Sequence, residues 1–396
     1  MPEGWVTGSH ALGKQRKTGE RLLRSLPGVK MQEERYGCWR NRQRLIRMTV
    51  DLEAAEWTPE LHIPTPFPSL QPLTEQVRHR RGTVAAVNAA FFHPDGHPAS
   101  VLIQGRDIVS FGRHSAGPNG YNYERQAFGY SEGTGRARIA PFAFHVRLTA
   151  LNGAWSGSSV NRPITGKSEA TLVTAPYEPA DFLPDAEKLP GACVMMHLGD
   201  TGSGMQTGVS RSGTVRKMLK EEATAPLSDG TFLLYVPYRD NVPACGEAVL
   251  TIGVSPEWET ASFLIGGGPM FDLTDKHRKL TMNPRSPAAR LRAPRTAVFT
   301  RGNGRILDLI VVDGRHRQGR GVSLPDLWQY ARRIGAESAM NLDGGGSSGV
   351  VLRDLANTGI QLVNAPSDGE ERHISASLHL TERQADSGTG KGVGKT

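Results

Sequence analysis

Glycine accounts for 46 of the 396 residues, and most of these glycines sit in short clusters between apolar runs. Interrupted this often, a chain does not build long helices. It builds short strands joined by turns, because glycine weakens helix interiors and supplies the backbone angles that tight turns require. No period of about 20–50 residues accompanies the clusters, which argues against a solenoid or a propeller. A hydrophobic fraction of 38% and a charged fraction of 22% suit a soluble globular chain. The length accommodates one large domain or two ordinary ones.

The apolar runs read as strands. Residues 83–88 form one, closed by Ala89-Ala90-Phe91-Phe92. Phe142, Phe144, Val146 and Leu148 alternate with other residues at the period of a half-buried strand. Further strands are expected over 170–175, 192–198, 231–237, 248–254, 262–265, 295–300 and 306–312. Helices are expected at about 69–80 and at 323–335. The second has Ser323 as its N-cap, Pro325 in its first turn and Gly335 as its stop, with Leu324, Leu327, Trp328, Ala331 and Ile334 on one face. The fold class expected is α+β, with strand-rich mixed sheets, a few flanking helices and a single main domain. Regular strand–helix alternation is missing, so a doubly wound sheet is not expected.

The ends differ from the body. Residues 1–35 are basic and lack steady periodicity, and they read as a mobile or loosely docked segment. Residues 384–396 read as a flexible tail of Gly, Ser and Lys, which leaves 36–383 as the main domain. The formal net charge is +8. Much of the excess falls on Lys14, Arg16, Lys17, Arg21, Arg24, Lys30, Arg40, Arg42, Arg44 and Arg47, which read as a solvated basic leader rather than a nucleic-acid surface. The three cysteines, Cys38, Cys193 and Cys245, form neither a disulfide framework nor a paired metal-ligand spacing. No run approaches the roughly 18 apolar residues of a membrane span. No apolar signal core follows Met1, so the chain as given reads as soluble and cytoplasmic.

The best-marked site is the turn Asn341-Leu342-Asp343-Gly344-Gly345-Gly346-Ser347-Ser348, flanked by strand-like segments. Three successive glycines allow close approach of a ligand to the main chain, and exposed amides in such a turn make an anion-binding nest. Asp343 brings a carboxylate, and Asn341 lies two residues earlier on the same face. The bland alternative is a glycine-rich hairpin turn. A nucleotide-binding P-loop is poorly supported, since no Gly-Lys-Ser/Thr ending follows. Gly345 to Gly349 fits G-x-S-x-G, but a nucleophile elbow needs a helix behind the serine, and Val350-Val351-Leu352 is strand-like. Asp200-Thr201-Gly202 imitates half of an aspartic-protease site, and its only counterpart, Asp386-Ser387-Gly388, lies in the tail. His93 and His97 flank a Pro-Asp-Gly turn and read as a surface hairpin rather than a metal site.

Seven separated segments, in order over residues 83–380, resemble the phosphodiester glycosidase family. They are Val87 to Phe92; Val160 to Pro163 with Thr171 to Pro176; Ile265 to Pro269; Pro294 to Ala297; Val311 to Arg315; Asn341 to Ser348; and Leu362 to Gly369 with Glu371-Arg372. The sequence departs from the pattern at Ala89, Ala90 and Gly349, and family members are usually exported.

The resemblance implies hydrolysis of a sugar 1-phosphodiester, which releases the sugar and leaves a phosphomonoester. Asp343 is the first choice for the carboxylate base or nucleophile and Asp313 the second. Arg295 and Arg372 would clamp the diester charge with planar donors. Asn88, Thr296, Asn341, Gly344, Gly345, Ser347 and Ser348 complete the expected substrate-binding set. The expected partner is a glycan or sugar 1-phosphodiester, and no cofactor is required. Two alternatives stay open: a phosphodiesterase attacking phosphorus with a divalent cation held at Asp343 or Asp313, and a non-catalytic glycan- or cell-wall-binding domain.

Overall fold

The computed structural model describes residues 5–6, 11–12, 15–37, 42–112, 126–162, 164, 170–183, 191–198, 205–217, 225–237, 242–274, 285–317, 319–356 and 359–383. The architecture is mostly β, which corrects the α+β expectation. Three short α-helices accompany several sheets among these residues. The ladders are antiparallel except for Ser159–Val160 against Thr171–Thr174. The main chain therefore makes its hydrogen bonds mainly across strands, as short apolar runs broken by glycine require. None of the described helices is long and apolar enough to cross a membrane.

Two sheets build the site. In the first, the strands Gln15–Leu26, Val29–Tyr36, Gln43–Asp51, Ile306–Val312, Arg295–Arg301, Ser338–Asn341 and Met270–Asp272 lie side by side in that order. In the second the order is Ile360–Leu362, Val350–Arg353, Thr83–Asn88, Ser377–Glu382 and Trp57–His62. Their facing residues share one core. Ile46, Met48, Val298, Leu309 and Met340 of the first sheet pack with Ala85, Val87, Val350, Leu378 and Leu380 of the second. A third sheet contains Val101–Gln104, Phe263–Gly267 and Gln126–Ser131. It is covered on both faces, with Leu102, Phe128 and Ile265 in this core and Ile103, Ala127 and Leu264 in another. Burial on both faces makes such strands read as continuous apolar runs rather than alternating ones.

The opposite face of the first sheet carries the helix Leu324–Arg333. Ser323 caps it by accepting from the Asp326 amide at 3.2 Å, and Gly335 ends it at φ 76°. Leu327, Tyr330 and Ala331 are buried against Leu45, Ala297, Phe299 and Ile310. Trp328 lies only partly in that core and stacks on Phe271 at a centroid distance of 6.2 Å. Tyr330 is the buried aromatic instead, because it completes the helical stripe through Leu327 and Ala331. The first helix is shorter than expected, Leu73–Arg78.

The N-terminal segment is a second correction. Its described residues include the hairpin Gln15–Leu26 and Val29–Tyr36, which extends the first sheet through pairing with Gln43–Asp51. Met31 and Tyr36 are 1% exposed. Four of the basic residues read as a solvated leader, Lys17, Arg21, Arg44 and Arg47, are paired here. Arg21, Arg35 and Arg44 surround the fully buried Glu33, while Lys17 and Arg47 face Glu34. The polar residues that obscured the strand pattern form a buried ion-pair network, which a hydrophobicity reading cannot register. The expected tail 384–396 lies outside the described residues, as do Cys38, Asp200 and Asp386.

Candidate functional site

The glycine turn is not a hairpin. Its incoming strand Ser338–Asn341 pairs with Arg295–Arg301 in the first sheet, and its outgoing strand Val350–Arg353 pairs with Thr83–Asn88 in the second. The turn therefore carries the chain from one sheet to the other across the top of the shared core. A strand rather than a helix follows the serines, so the nucleophile-elbow geometry is absent.

The turn is tied down from beneath. The Leu342 amide donates to Thr296 O at 2.8 Å, that of Asp343 to Ala89 O at 3.2 Å and that of Gly345 to Pro294 O at 3.0 Å. Gly344 N–H donates to Asp343 Oδ1 at 2.9 Å, and the Ser347 and Ser348 amides bond back to Gly344 and Gly345. So many amides are spent inside the protein that the expected anion nest does not form. An anion in the cleft would meet side chains rather than these amides.

Asn88 is the main fastening, and its role differs from the expected contact with substrate. Its Nδ2 donates to the Asp343 carbonyl at 2.7 Å, and its Oδ1 accepts from Thr296 Oγ1 at 2.6 Å and from the Gly349 amide at 3.1 Å. Asn88 and Thr296 are buried at 1% and 0% exposure. Asn364 fastens the far end, accepting from the Val350 amide and donating to Ser348 O.

Above the turn lies a cleft of about 280 Å³. Its lining combines apolar Phe91, Leu291 and Ala293 with Asp343, Asn341, Gly344 to Gly346 and the arginines Arg295, Arg315 and Arg372. Burial pushes the Asp343 carboxyl up to about 6, against the opposing pull of hydrogen bonds from Ser347 and the Gly344 amide and the charge of Arg372. Asn341 donates to Gly268 O and Leu342 O, while its Oδ1 has no hydrogen-bond partner. Ser347 receives Arg372 Nη1 at 3.5 Å, whereas Ser348 is buried and its Oγ has no partner.

The arginines divide into two kinds. Arg295 is 9% exposed, and its Nε and Nη2 donate to the carbonyls of Val322 and Leu291. Arg372 and Arg315 keep 42% and 48% of their side chains exposed and share Asp368 between them. Arg315, at the end of the Val311 to Arg315 segment, is a cleft residue that the sequence reading misses. Its left-handed φ of 62° directs it from the end of the Ile306–Val312 strand toward the glycine turn, and sequence carries no sign of that angle.

Asp313 does not line the cleft. It is 2% exposed, pairs with Arg44 Nη1 at 3.0 Å and accepts from the Ala365 amide at 3.2 Å. Burial raises its carboxyl above the usual range, with Arg44 opposing. It serves as a strut between the N-terminal part of the sheet and the loop that leads to Arg372. Among the described residues no group of three His, Cys, Asp or Glu side chains is arranged to hold a metal ion. His93 and His97 close a turn through the His93 amide to His97 O, as expected of a hairpin. Burial pushes the Cys193 thiol up to about 11, and Cys245 is exposed.

The fold and cleft define a mostly β protein with one carboxylate held among arginines at a sheet-to-sheet crossing. Residues 204–381 match the model of the phosphodiester glycosidase family. That stretch contains the glycine turn and the three cleft arginines, while Asn88 and Phe91 lie upstream of it. Comparison with curated proteins finds no match. A hypothetical protein from Synechocystis has a similar fold, with a TM-score of 0.61 at 18% identity; the match covers 92% of this chain and 64% of that one. A putative exported protein from Burkholderia pseudomallei gives a TM-score of 0.52 at 18% identity, over 86% of this chain and 74% of that one. The zebrafish N-acetylglucosamine-1-phosphodiester alpha-N-acetylglucosaminidase catalytic domain, auto-inhibited by its pro-peptide, gives 0.44 at 14% identity, over 96% and 89%.

Proposed function

We propose that this cleft hydrolyses a sugar 1-phosphodiester at the anomeric carbon. The carrying observation is the placement of Asp343, a carboxylate raised to about 6 that lines the same cleft as Arg315 and Arg372. A diester carries one negative charge, and the two exposed guanidiniums present planar donors to it. Phe91 offers an apolar surface for a sugar face.

In this reading Asp343 acts in its ionised form. It takes a proton from water attacking the anomeric carbon, or attacks that carbon itself and is later freed by water. The bond from that carbon to the phosphate oxygen breaks, and its electron pair leaves with the phosphomonoester. Such a group departs with little acid assistance, so the arginines, by stabilising the growing phosphate charge, supply the larger effect.

A panel of sugar 1-phosphodiesters, including α-N-acetylglucosaminyl ones, tests this in ¹⁸O-labelled water. Label in the released sugar, with unlabelled phosphomonoester, is the expected result. Label in the phosphate would establish attack at phosphorus instead. Binding without turnover of any member would favour a glycan-binding domain.

A further inference from the structure

We propose that Asp368 sets the charge selectivity of the cleft, so that it accepts a monoanionic phosphodiester and releases the dianionic phosphomonoester. This inference rests on the phosphodiester reading above and adds a residue that discriminates substrate from product.

Asp368 pairs with both exposed arginines of the cleft. Its Oδ2 accepts from Arg372 Nε at 3.1 Å and Nη2 at 2.5 Å, and its Oδ1 lies 3.8 Å from Arg315 Nη1. One carboxylate thus spans the two exposed guanidiniums of the cleft. The position is built into the glycine turn. A Cβ on Gly346 would fall 1.9 Å from Asp368 Oδ2 and 2.1 Å from Arg372 Nη2, so any side chain there would displace the pair. Gly346 is therefore required by the ion pair that rests on it, not by its own backbone angles.

The charges then decide the outcome. Among the described residues Arg295, Arg315, Arg372 and Asp343 line the cleft, and Asp368 pairs with two of those arginines. With both carboxylates ionised, three positive and two negative charges leave one net positive charge. A diester neutralises that charge. A phosphomonoester, whose second ionisation falls near pH 6, brings close to two negative charges at mildly alkaline pH and leaves the site one charge in excess. Hydrolysis converts the first kind of ligand into the second, and the Asp368 charge opposes the dianion about twice as strongly as the monoanion, so it weakens product binding more than substrate binding. Without that charge the affinity ratio shifts toward the product.

The test compares phenyl phosphate, a monoester, with methyl phenyl phosphate, a diester, by calorimetric binding to the full chain at pH 8. Asp368→Asn keeps an acceptor for Arg372 but removes the charge, and Asp368→Ser is a second neutral variant. Asp368→Glu restores the charge. In both neutral variants the ratio of monoester to diester affinity is expected to rise by about tenfold, as one extra unit charge at partly exposed contact distance implies. The Glu variant should return the ratio to the wild-type value. An unchanged ratio in neutral variants that melt like wild type, while both ligands still bind, would overturn this proposal alone. Binding of neither ligand by the wild-type protein would instead remove the phosphodiester reading, and this inference with it.

Discussion

The Asn88 side chain donates to the main-chain carbonyl of Asp343 at 2.7 Å, although 255 residues separate them in the chain. This bond fixes the carboxylate-bearing turn to the second sheet. The same amide also accepts from Thr296 and Gly349, so all three sides of the crossing meet at one side chain. Replacement by Ala would leave a carbonyl, a hydroxyl and an amide buried without partners. Asn88→Ala should therefore cost about 2–4 kcal/mol in denaturant unfolding and lower kcat more than it raises KM. An unchanged unfolding midpoint would show that the turn is held by its other contacts.

Asp343 links activity to pH and to stability. If the ionised form acts, kcat/KM should rise with pH and level off above about 6, the position to which burial moves the group. The stability effect has the opposite direction. A carboxyl with a raised folded-state pKa binds more protons folded than unfolded, so its contribution is favourable at about pH 4 and is lost as pH climbs through about 6. Asp343→Asn should accordingly abolish turnover and stabilise the fold at pH 7 by about 1–3 kcal/mol, with the gain fading near pH 4. Melting curves of both proteins at the two pH values check this. A variant less stable at pH 7 would mean that Asp343 acts chiefly as an anchor of the turn.

Arg372 and Arg295 should respond differently to the same substitution. Arg372→Lys keeps the charge but loses the planar fork, and a fall of about 10–100-fold in kcat/KM with little change in melting is expected. Arg295 caps two carbonyls from a buried position. Arg295→Lys should therefore destabilise by about 1–3 kcal/mol as its principal effect. Equal activity losses with unchanged melting for both would return Arg295 to the phosphate clamp.

Arg44 joins the N-terminal hairpin to the site. It contacts the buried Glu33 and Asp313 and donates to Val363 O at 2.8 Å. Arg44→Ala leaves two buried carboxylates without their shared cation, so a loss of about 3–5 kcal/mol is expected. Deleting residues 1–35 should yield insoluble or unfolded protein, since it strips the Val29–Tyr36 strand from Gln43–Asp51. A soluble deletion protein with near-normal melting would show that the hairpin is an accessory.

The sequence by itself determined a part of the strands and the position of the glycine turn. Residues 192–198 and 306–312 are strands over their full expected spans, and Ser323 caps its helix as expected, because these are local properties of apolar period and hydrogen-bonding side chains. It also marked Asp343, since a carboxylate at the edge of three glycines is unusual in any context. What each polar residue does was decided only by tertiary structure. Asn88 and Asp343 both read as ligand contacts, yet one is a buried fastening and the other faces the cleft. Asp343 and Asp313 read as first and second choice for one catalytic carboxylate, and only Arg44, brought in from a distant strand, assigns Asp313 to structure. Arg315 reaches the cleft through a backbone angle, and Asp368 acquires its place from the space above Gly346. A polar side chain's role depends on which partners satisfy it after folding, and those partners lie far away in the chain.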